Sequence, residues 1–365
     1  MNKIRFSVLI PVYKESPFLR ELLDSILSNN VSKEILVGID CPTKESLKIV
    51  SEYSKKGIRF ILSKKRQGKA TCLNKLASIS KGNYLVFIDA DTKIEPQNFL
   101  EILEKELERK RLDIVEVNKT MSGNLLEARI FDVGMRLQSL ANYITINKFG
   151  KGFGVCGYFI CIKKDLFEKI KGFRKIIVED ADLSFRLNML KTKWKYCSRI
   201  KITQVLPDKR KKLWPKIKRW IFGIGLFIKG IINNPHLCKT YMSRNVSSFL
   251  LGLPILFPAF IMLSILTILT YPVFTIHRYR LFTSPLFPFN FPLQTGMFIF
   301  SFTLYLALLL PCYFLYKKFL RKINLDLRFF NFTIYYLISP FFLFSYIFAI
   351  FYSYLTKPKF EDWKV

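Results

Sequence analysis

The chain has 365 residues and a formal net charge of +31, and it is 50% hydrophobic and 16% aromatic. That length suits one large domain or two smaller ones, and the apolar content is high for a soluble protein. Its seven cysteines form no CxxC pair and show no metal-ligand spacing, which argues against a zinc module or disulfide framework and reads as reduced thiols or buried small hydrophobes.

The N-terminus, MNKIRFSVLIPVY, has a short apolar run and no small-residue cleavage site, so no signal peptide is expected. FSVLIPVY (6–13) reads as a strand and is followed by a helical pattern over 16–29. EILVGID (34–40) is a second strand before a helix over 43–55. RFILS (59–63) precedes a helix at about 69–80, and YLVFIDA (84–90) precedes one over 96–109. DIVEVN (113–118) is a further strand. Continuous apolar strands alternating with helices predict an α/β fold, a mostly parallel sheet covered on both faces. Such sheets bind ligands at the carboxyl ends of their strands. The chain places polar residues there: Pro11-Val12-Tyr13-Lys14-Glu15 after the first strand, Asp40 after the second, and Asp89 and Asp91 after the fourth.

A long helical pattern covers about 124–147, and the glycine-broken GKGFGVCGYFICIKKDLF (150–167) comes next. In KLWPKIKRWIFGIGLFIKGII (212–232), Leu213, Ile217, Trp220, Ile224, Ile228 and Ile231 recur at helical spacing, with Lys216, Arg219 and Lys229 off that stripe. A basic helix with an aromatic apolar side is expected to lie in a membrane interface; the alternative is an ordinary core helix. Three apolar stretches follow, Val246–Phe274, Pro292–Tyr316 and Phe329–Leu355, each exceeding the roughly 20 residues that span a bilayer. The organisation read from this is an α/β domain at 1–212, an interfacial helix and linker at 213–245, and a transmembrane region at 246–365. Basic residues in 208–219 and 317–328 put those segments on the cytoplasmic side, with the C-terminus outside. A multi-pass protein of the cell membrane is therefore expected, with its basic excess facing anionic lipid rather than nucleic acid.

No GxGxxG follows the first strand and no GxxxxGK[ST] is present, so neither a dinucleotide-binding Rossmann site nor a P-loop is expected. A GxSxG elbow is also absent. The two histidines, His236 and His277, lie beside or within the apolar region, which removes most histidine-dependent hydrolases. What remains is Asp89-Ala90-Asp91 at a strand end. Residues i and i+2 of a strand point the same way, so the two carboxylates can reach one ligand. Hard oxygen ligands of this kind suit Mg²⁺ or Mn²⁺ on phosphates, whereas a lone Asp-x-Asp is more often a solvated turn.

The motif has company. SVLIPVYKES, Asp40, KKRQGKATCLN (64–74), FIDADTKIEP, GYFICIKKDLFEKIKGF and EDADLSFRL (179–187) occur in an order and spacing that closely resemble glycosyltransferase family 2, the inverting transferases with the GT-A fold. The resemblance covers roughly residues 5–225. It implies that Pro11, Tyr13 and Glu15 line the nucleotide, that Asp40 bonds the base and that Asp89 binds ribose. It also implies that Asp91 holds the metal on the diphosphate, with Lys69 near the phosphates. Asp180, or in second place Glu179, would be the general base, taking the proton of an acceptor hydroxyl. Both residues also suit a helix N-terminus, and Asp182 could serve that cap.

Polymer-building members carry Gln-x-x-Arg-Trp just before the membrane. Here the stretch reads Lys216-Ile217-Lys218-Arg219-Trp220. Arg219 is expected to neutralise the leaving diphosphate and Trp220 to meet the acceptor, while the lost glutamine argues against processive synthesis. The implied activity is single transfer from a UDP- or GDP-sugar to a hydroxyl of a membrane-held, polyprenyl-linked acceptor. The alternatives are a polyprenyl-phosphate sugar synthase, a processive synthase and an inactive membrane scaffold.

Overall fold

The computed structural model describes residues 5–109, 112–236, 238–240, 245, 303 and 305–356. β1 (Phe6–Tyr13), α1 (Leu19–Leu27), β2 (Lys33–Asp40), α2 (Lys44–Ser54), β3 (Arg59–Ser63), α3 (Lys69–Ser78) and β4 (Tyr84–Ile88) follow the predicted alternation. β5 (Thr92–Glu95), α4 (Phe99–Arg109), β6 (Ile114–Ser122), α5 (Leu126–Phe149), β7 (Phe159–Lys163), α6 (Lys164–Lys169) and α7 (Glu179–Asn188) come next. The described elements end with β8 (Trp194–Val205), α8 (Arg210–Ile232), α9 (Leu309–Arg321) and α10 (Phe329–Thr356).

Local chemistry explains the helices that frame the site. α1 buries Leu19, Leu22, Leu23 and Ile26, the i, i+3, i+4, i+7 stripe of an amphipathic helix. α2 starts at Thr43, whose hydroxyl accepts from the Ser46 N–H while Ser46 answers the Thr43 N–H, a capping box contributing about 1 kcal/mol. α3 starts after Gly68, whose φ of 90° is open to glycine and strained for other residues.

The eight strands form one sheet in the order β3-β2-β1-β4-β7-β6-β8-β5. β1, β2, β3 and β4 pair in parallel. β7 is antiparallel to both β4 and β6, β6 and β8 are parallel, and β8 and β5 are antiparallel. The expected mostly parallel sheet is thus parallel in its first half and mixed in its second. β5, four residues long, follows β4 after a three-residue turn but pairs antiparallel with β8 at the far edge. Neither β5 nor β8 was expected from the sequence.

Successive strand residues feed opposite faces of the sheet. Val8, Ile10, Val37, Val86 and Ile88 join one buried cluster, and Leu9, Leu36, Leu85, Phe87 and Ile160 join the other. Each such side chain contributes roughly 1.5–3 kcal/mol of burial. Leu213 and Ile217 of α8 enter the first cluster, with Trp220 packed on it. At Gly223 a Cβ would lie 2.6 Å from Val178 Cγ1, and at Gly225 one would lie 2.7 Å from Ala349, so the glycines let α8 close on both the loop before α7 and on α10.

The second cluster also takes in Tyr316, Leu320, Ile323, Leu325, Leu327, Phe332 and Tyr336 of α9, α10 and the turn between them. That turn is tied to the sheet by Asn118, whose Nδ2 donates to Ile323 O at 2.5 Å and Ser198 O at 2.9 Å, and to α5 by Arg136, which donates to Asp326 O at 2.8 Å. The segment 246–274, expected to span a membrane, lies outside the described residues, as does 292–304 apart from residue 303. Residues 329–355 lie within α10. Among the described residues, no helix is long and apolar enough to cross a membrane.

Candidate active site

The strand order reverses at β1, which lies between β2 and β4, and their carboxyl ends converge there. In open α/β sheets this switch point is where ligands bind. The chain leaves β1 and β2 through Lys14 and Cys41, both in the left-handed region at φ 63° and 54°. Such conformations cost a non-glycine residue on the order of 1 kcal/mol or more. Two backbone bonds hold them, Lys14 N–H to Asp40 O at 2.8 Å and Cys41 N–H to Ser63 O at 2.7 Å.

Around this edge stand the residues expected to meet the nucleotide. Pro11 is in β1 opposite Gly38. Tyr13 is exposed at the end of β1, with the Arg66 guanidinium 4.4 Å from its ring centre. Glu15 accepts from the Thr43 hydroxyl at 2.6 Å. Asp40 is buried, and its Oδ2 accepts the N–H groups of Gln67 and Gly68 at 2.8 and 2.9 Å, fastening the loop that leads into α3.

Lys69, the first residue of α3, joins the two candidate carboxylate groups. Its ammonium lies 2.7 Å from Asp89 Oδ1, 3.5 Å from Glu179 and 3.1 Å from Gly157 O. Burial works against its charge, but Asp89, Glu179 and Asp180 outweigh it and hold the ammonium above the usual lysine range. Burial raises the carboxyl pKa of Asp89; the Asp91 charge adds to the rise, and Lys69 and Lys216 offset part of it. Burial likewise raises Glu179, against the pull of Lys69 and with Asp180 adding.

Asp180 sits in the first turn of α7. Its Oδ2 accepts Gly157 N–H at 2.7 Å and its Oδ1 accepts Ala181 N–H at 2.9 Å. A Cβ at Gly157 would lie 3.1 Å from Asp180 Oδ2 and 3.2 Å from Lys69 Nζ, so the glycine leaves room for both. Asp182 does not cap α7. It pairs with Arg186 at 2.7 Å and Arg174 at 3.2 Å, and Arg186 also donates to the carbonyls of Ile170 and Gly172. The corrected role is a clamp between α7 and the turn after α6, because an aspartate with two guanidinium partners has stronger bonds to make than a cap.

Asp91 is partly exposed. Its Oδ2 is 2.9 Å from Lys216 Nζ, and the Gln204 amide donates to both of its oxygens at 3.2 and 3.4 Å. Sequence reasoning missed Lys216 and Gln204 as its partners. Lys216 had a signal, since it stands where polymer-building members have glutamine; Gln204, in the unforeseen β8, had none. Arg219 lies partly buried on α8, and Trp220 packs against Phe131 with ring centres 5.7 Å apart.

Behind the site Glu116 and Lys119 form a fully buried pair at 2.7 Å, and Lys119 also donates to Cys156 O at 3.3 Å. This steadies the segment that presents Gly157 to Asp180.

Among the described residues, no group of three or more His, Cys, Asp or Glu side chains forms a metal cage. A Mg²⁺ or Mn²⁺ held by one or two carboxylates, substrate phosphates and water needs none. Asp91, partly exposed at the ligand edge, fits that mode once Lys216 moves off its Oδ2.

Residues 7–171 match the family model for glycosyl transferase family 2. The poly-beta-1,6-N-acetyl-D-glucosamine synthase of Staphylococcus epidermidis is 25% identical over 229 residues, 60% of this chain and 54% of that one. The amylovoran biosynthesis glycosyltransferase AmsB of Erwinia amylovora is 25% identical over 202 residues, 52% of this chain and 66% of that one. The chain spans just over half the length of the first of these curated relatives. Among solved structures, a mannosyltransferase from Pyrobaculum calidifontis in complex with GDP-Man and Mn²⁺ superimposes with a TM-score of 0.50 at 18% identity, covering 70% of this chain and 74% of that one, which speaks to fold alone. With the switch-point site and the matched motifs, residues 7–171 match a glycosyl transferase family 2 domain, in an α/β fold of the GT-A type.

Proposed function

We propose that this glycosyltransferase moves one sugar, with inversion, from a UDP- or GDP-sugar to a hydroxyl of a lipid-linked acceptor at the cytoplasmic face of a membrane. The observation that carries the reading is Lys69, which draws Asp89 of the donor edge and Glu179, beside Asp180, around one ammonium. Donor carboxylates and candidate base therefore share one small space.

In this reading Tyr13 and Glu15 flank the base and ribose, Asp40 holds the loop beneath them, and Asp89 orients the ribose. Asp91 would ligate Mg²⁺ or Mn²⁺, which when bound would neutralise charge on the departing diphosphate. Asp180 takes the proton of the acceptor hydroxyl as its oxygen bonds to the anomeric carbon and the bond to the diphosphate breaks. Two backbone donors aim the Asp180 carboxylate. Arg219 adds positive charge on the leaving-group side, and Trp220 is the proposed acceptor contact.

Membrane attachment belongs to the same proposal. Phe314, Phe330, Phe348 and Phe351 are each 63–66% exposed on α9 and α10, and Lys317, Lys318, Arg321, Lys322 and Arg328 lie at or near the connecting turn. Phe314 and Phe330 lie beside this basic cluster, a pairing that suits an anionic bilayer surface, and Phe348 and Phe351 add exposed apolar surface roughly 30 Å further along α10.

The test is transfer from UDP-, GDP- and dTDP-sugars with Mn²⁺ onto polyprenyl-linked saccharides. One donor is expected to support addition of one sugar. A ladder of products would replace this reading with processive synthesis, and transfer to bare polyprenyl phosphate alone would replace it with a polyprenyl-phosphate sugar synthase. No turnover of any donor would refute it.

A further inference from the structure

Both carboxylates of the Asp-x-Asp motif have their own ammonium partner. Lys69 serves Asp89, and Lys216 serves Asp91 from a helix 125 residues further along the chain. Lys216 is 2.9 Å from Asp91 Oδ2, and its Nζ lies 5.9 Å from the Trp220 ring centre. Glutamine at this position could not neutralise Asp91.

We infer that Lys216 is a displaceable counter-cation for the donor diphosphate. It occupies Asp91 while the site is empty and transfers its ammonium to the diphosphate when a nucleotide enters, freeing Asp91 for a divalent cation. The inference rests on the donor reading proposed above.

Three features carry it. The ammonium sits on the oxygen a metal would use, so ammonium and metal compete for one position and repel each other. Lysine is a point charge on a flexible four-carbon stem, able to swing between acceptors, unlike a guanidinium locked in a fork. A diphosphate offers an ammonium more negative charge than a single carboxylate does, and charge-assisted bonds of this kind are the strong ones. The consequence is coupling: metal binds weakly alone, nucleotide binds without metal, and each strengthens the other by the same factor.

The experiment compares the full-length wild type with Lys216→Gln and Lys216→Arg. It measures Mn²⁺ binding alone by electron paramagnetic resonance, and UDP and GDP binding by calorimetry in EDTA and in Mn²⁺. Lys216→Gln is expected to weaken nucleotide binding in EDTA by roughly ten- to a hundredfold, the worth of one charged hydrogen bond. It is also expected to tighten binding of Mn²⁺ alone by roughly tenfold or more. Lys216→Arg keeps the charge but grips Asp91 through a fork that does not swing, so Mn²⁺ alone is expected to stay weakly bound while metal-free nucleotide binding falls below the wild type.

Unchanged Mn²⁺ and metal-free nucleotide affinities in Lys216→Gln would overturn the inference while leaving the donor reading intact. Failure of UDP and GDP to bind the wild type under any condition would overturn the donor reading and the inference with it. The wild type alone gives a second check, needing no variant to fold: the affinity for Mn²⁺ must rise when nucleotide is present, and an affinity indifferent to nucleotide counts against the inference.

Discussion

Replacing Asp180 by asparagine separates a structural role from a catalytic one. The carboxylate accepts two backbone N–H groups, one on each oxygen, at 2.7 Å from Gly157 and 2.9 Å from Ala181. Asparagine has one acceptor oxygen, so one of these donors must face an NH₂ group. The loss of one charge-assisted bond costs about 1.5–3 kcal/mol, lowered at this partly exposed position by access to water. A base that takes the acceptor proton contributes ~10²–10⁴-fold, or about 2.7–5.5 kcal/mol of barrier. The two effects appear in different measurements. A urea titration of Asp180→Asn is expected to show a modest loss of stability, and nucleotide affinity is expected to stay near wild type. Single-turnover transfer to a hydroxyl acceptor is expected to fall by two to four orders of magnitude. A near-normal transfer rate would refute the base assignment. If Glu179→Gln instead produced the large rate loss, its burial-raised carboxyl would take the role.

Asp91→Asn is expected to leave the fold intact and to abolish the gain in UDP or GDP affinity on adding Mn²⁺, seen by calorimetry with and without chelator. Asn118→Ala leaves the carbonyls of Ser198 and Ile323 and the Tyr196 hydroxyl, now 2.6 Å from Asn118 Oδ1, without their partner. Tyr196 and Ile323 are buried, so at about 1–3 kcal/mol for each of these two unpaired groups a loss of roughly 2–6 kcal/mol in urea titration is expected, with early proteolysis near the α9–α10 turn. Burial pushes the thiols of Cys156 and Cys161 up to about 12, so the thiolate is scarce at pH 8. In the native protein the fully buried Cys161 should resist a maleimide that labels the partly exposed Cys41, as peptide mass mapping can show; equal labelling rates would mean this core opens readily.

The sequence by itself determined the first half of the sheet, because strands buried on both faces must be continuously apolar and the intervening helices must be amphipathic. β1 and β3 fall where the pattern put them, and β2 and β4 within two residues at either end. It also put Asp40 at the end of β2 and Asp89 just past β4, since strand position follows from local pattern; the strand period expected to aim Asp89 and Asp91 alike does not apply, because residues 89–91 form the turn between β4 and β5 and the two carboxylates meet different lysines. What it could not express is pairing across distance. Lys69 with Glu179, Lys216 with Asp91 and Gln204 with Asp91 join residues 110, 125 and 113 positions apart, and no local periodicity records such contacts. Lys216 read as an off-stripe lysine, and only the seating of α8 by Leu213, Ile217 and Gly223 turns it toward the site. The basic stretch 317–328 read as a cytoplasmic loop between two membrane spans, and in the structure Leu320, Ile323, Leu325 and Leu327 are buried against the sheet side of the domain and Asn118 holds a carbonyl among them. Charge density on a short segment is visible in one dimension; the apolar residues alternating with those charges find their partners only when β6 and α5 present a surface to bury them.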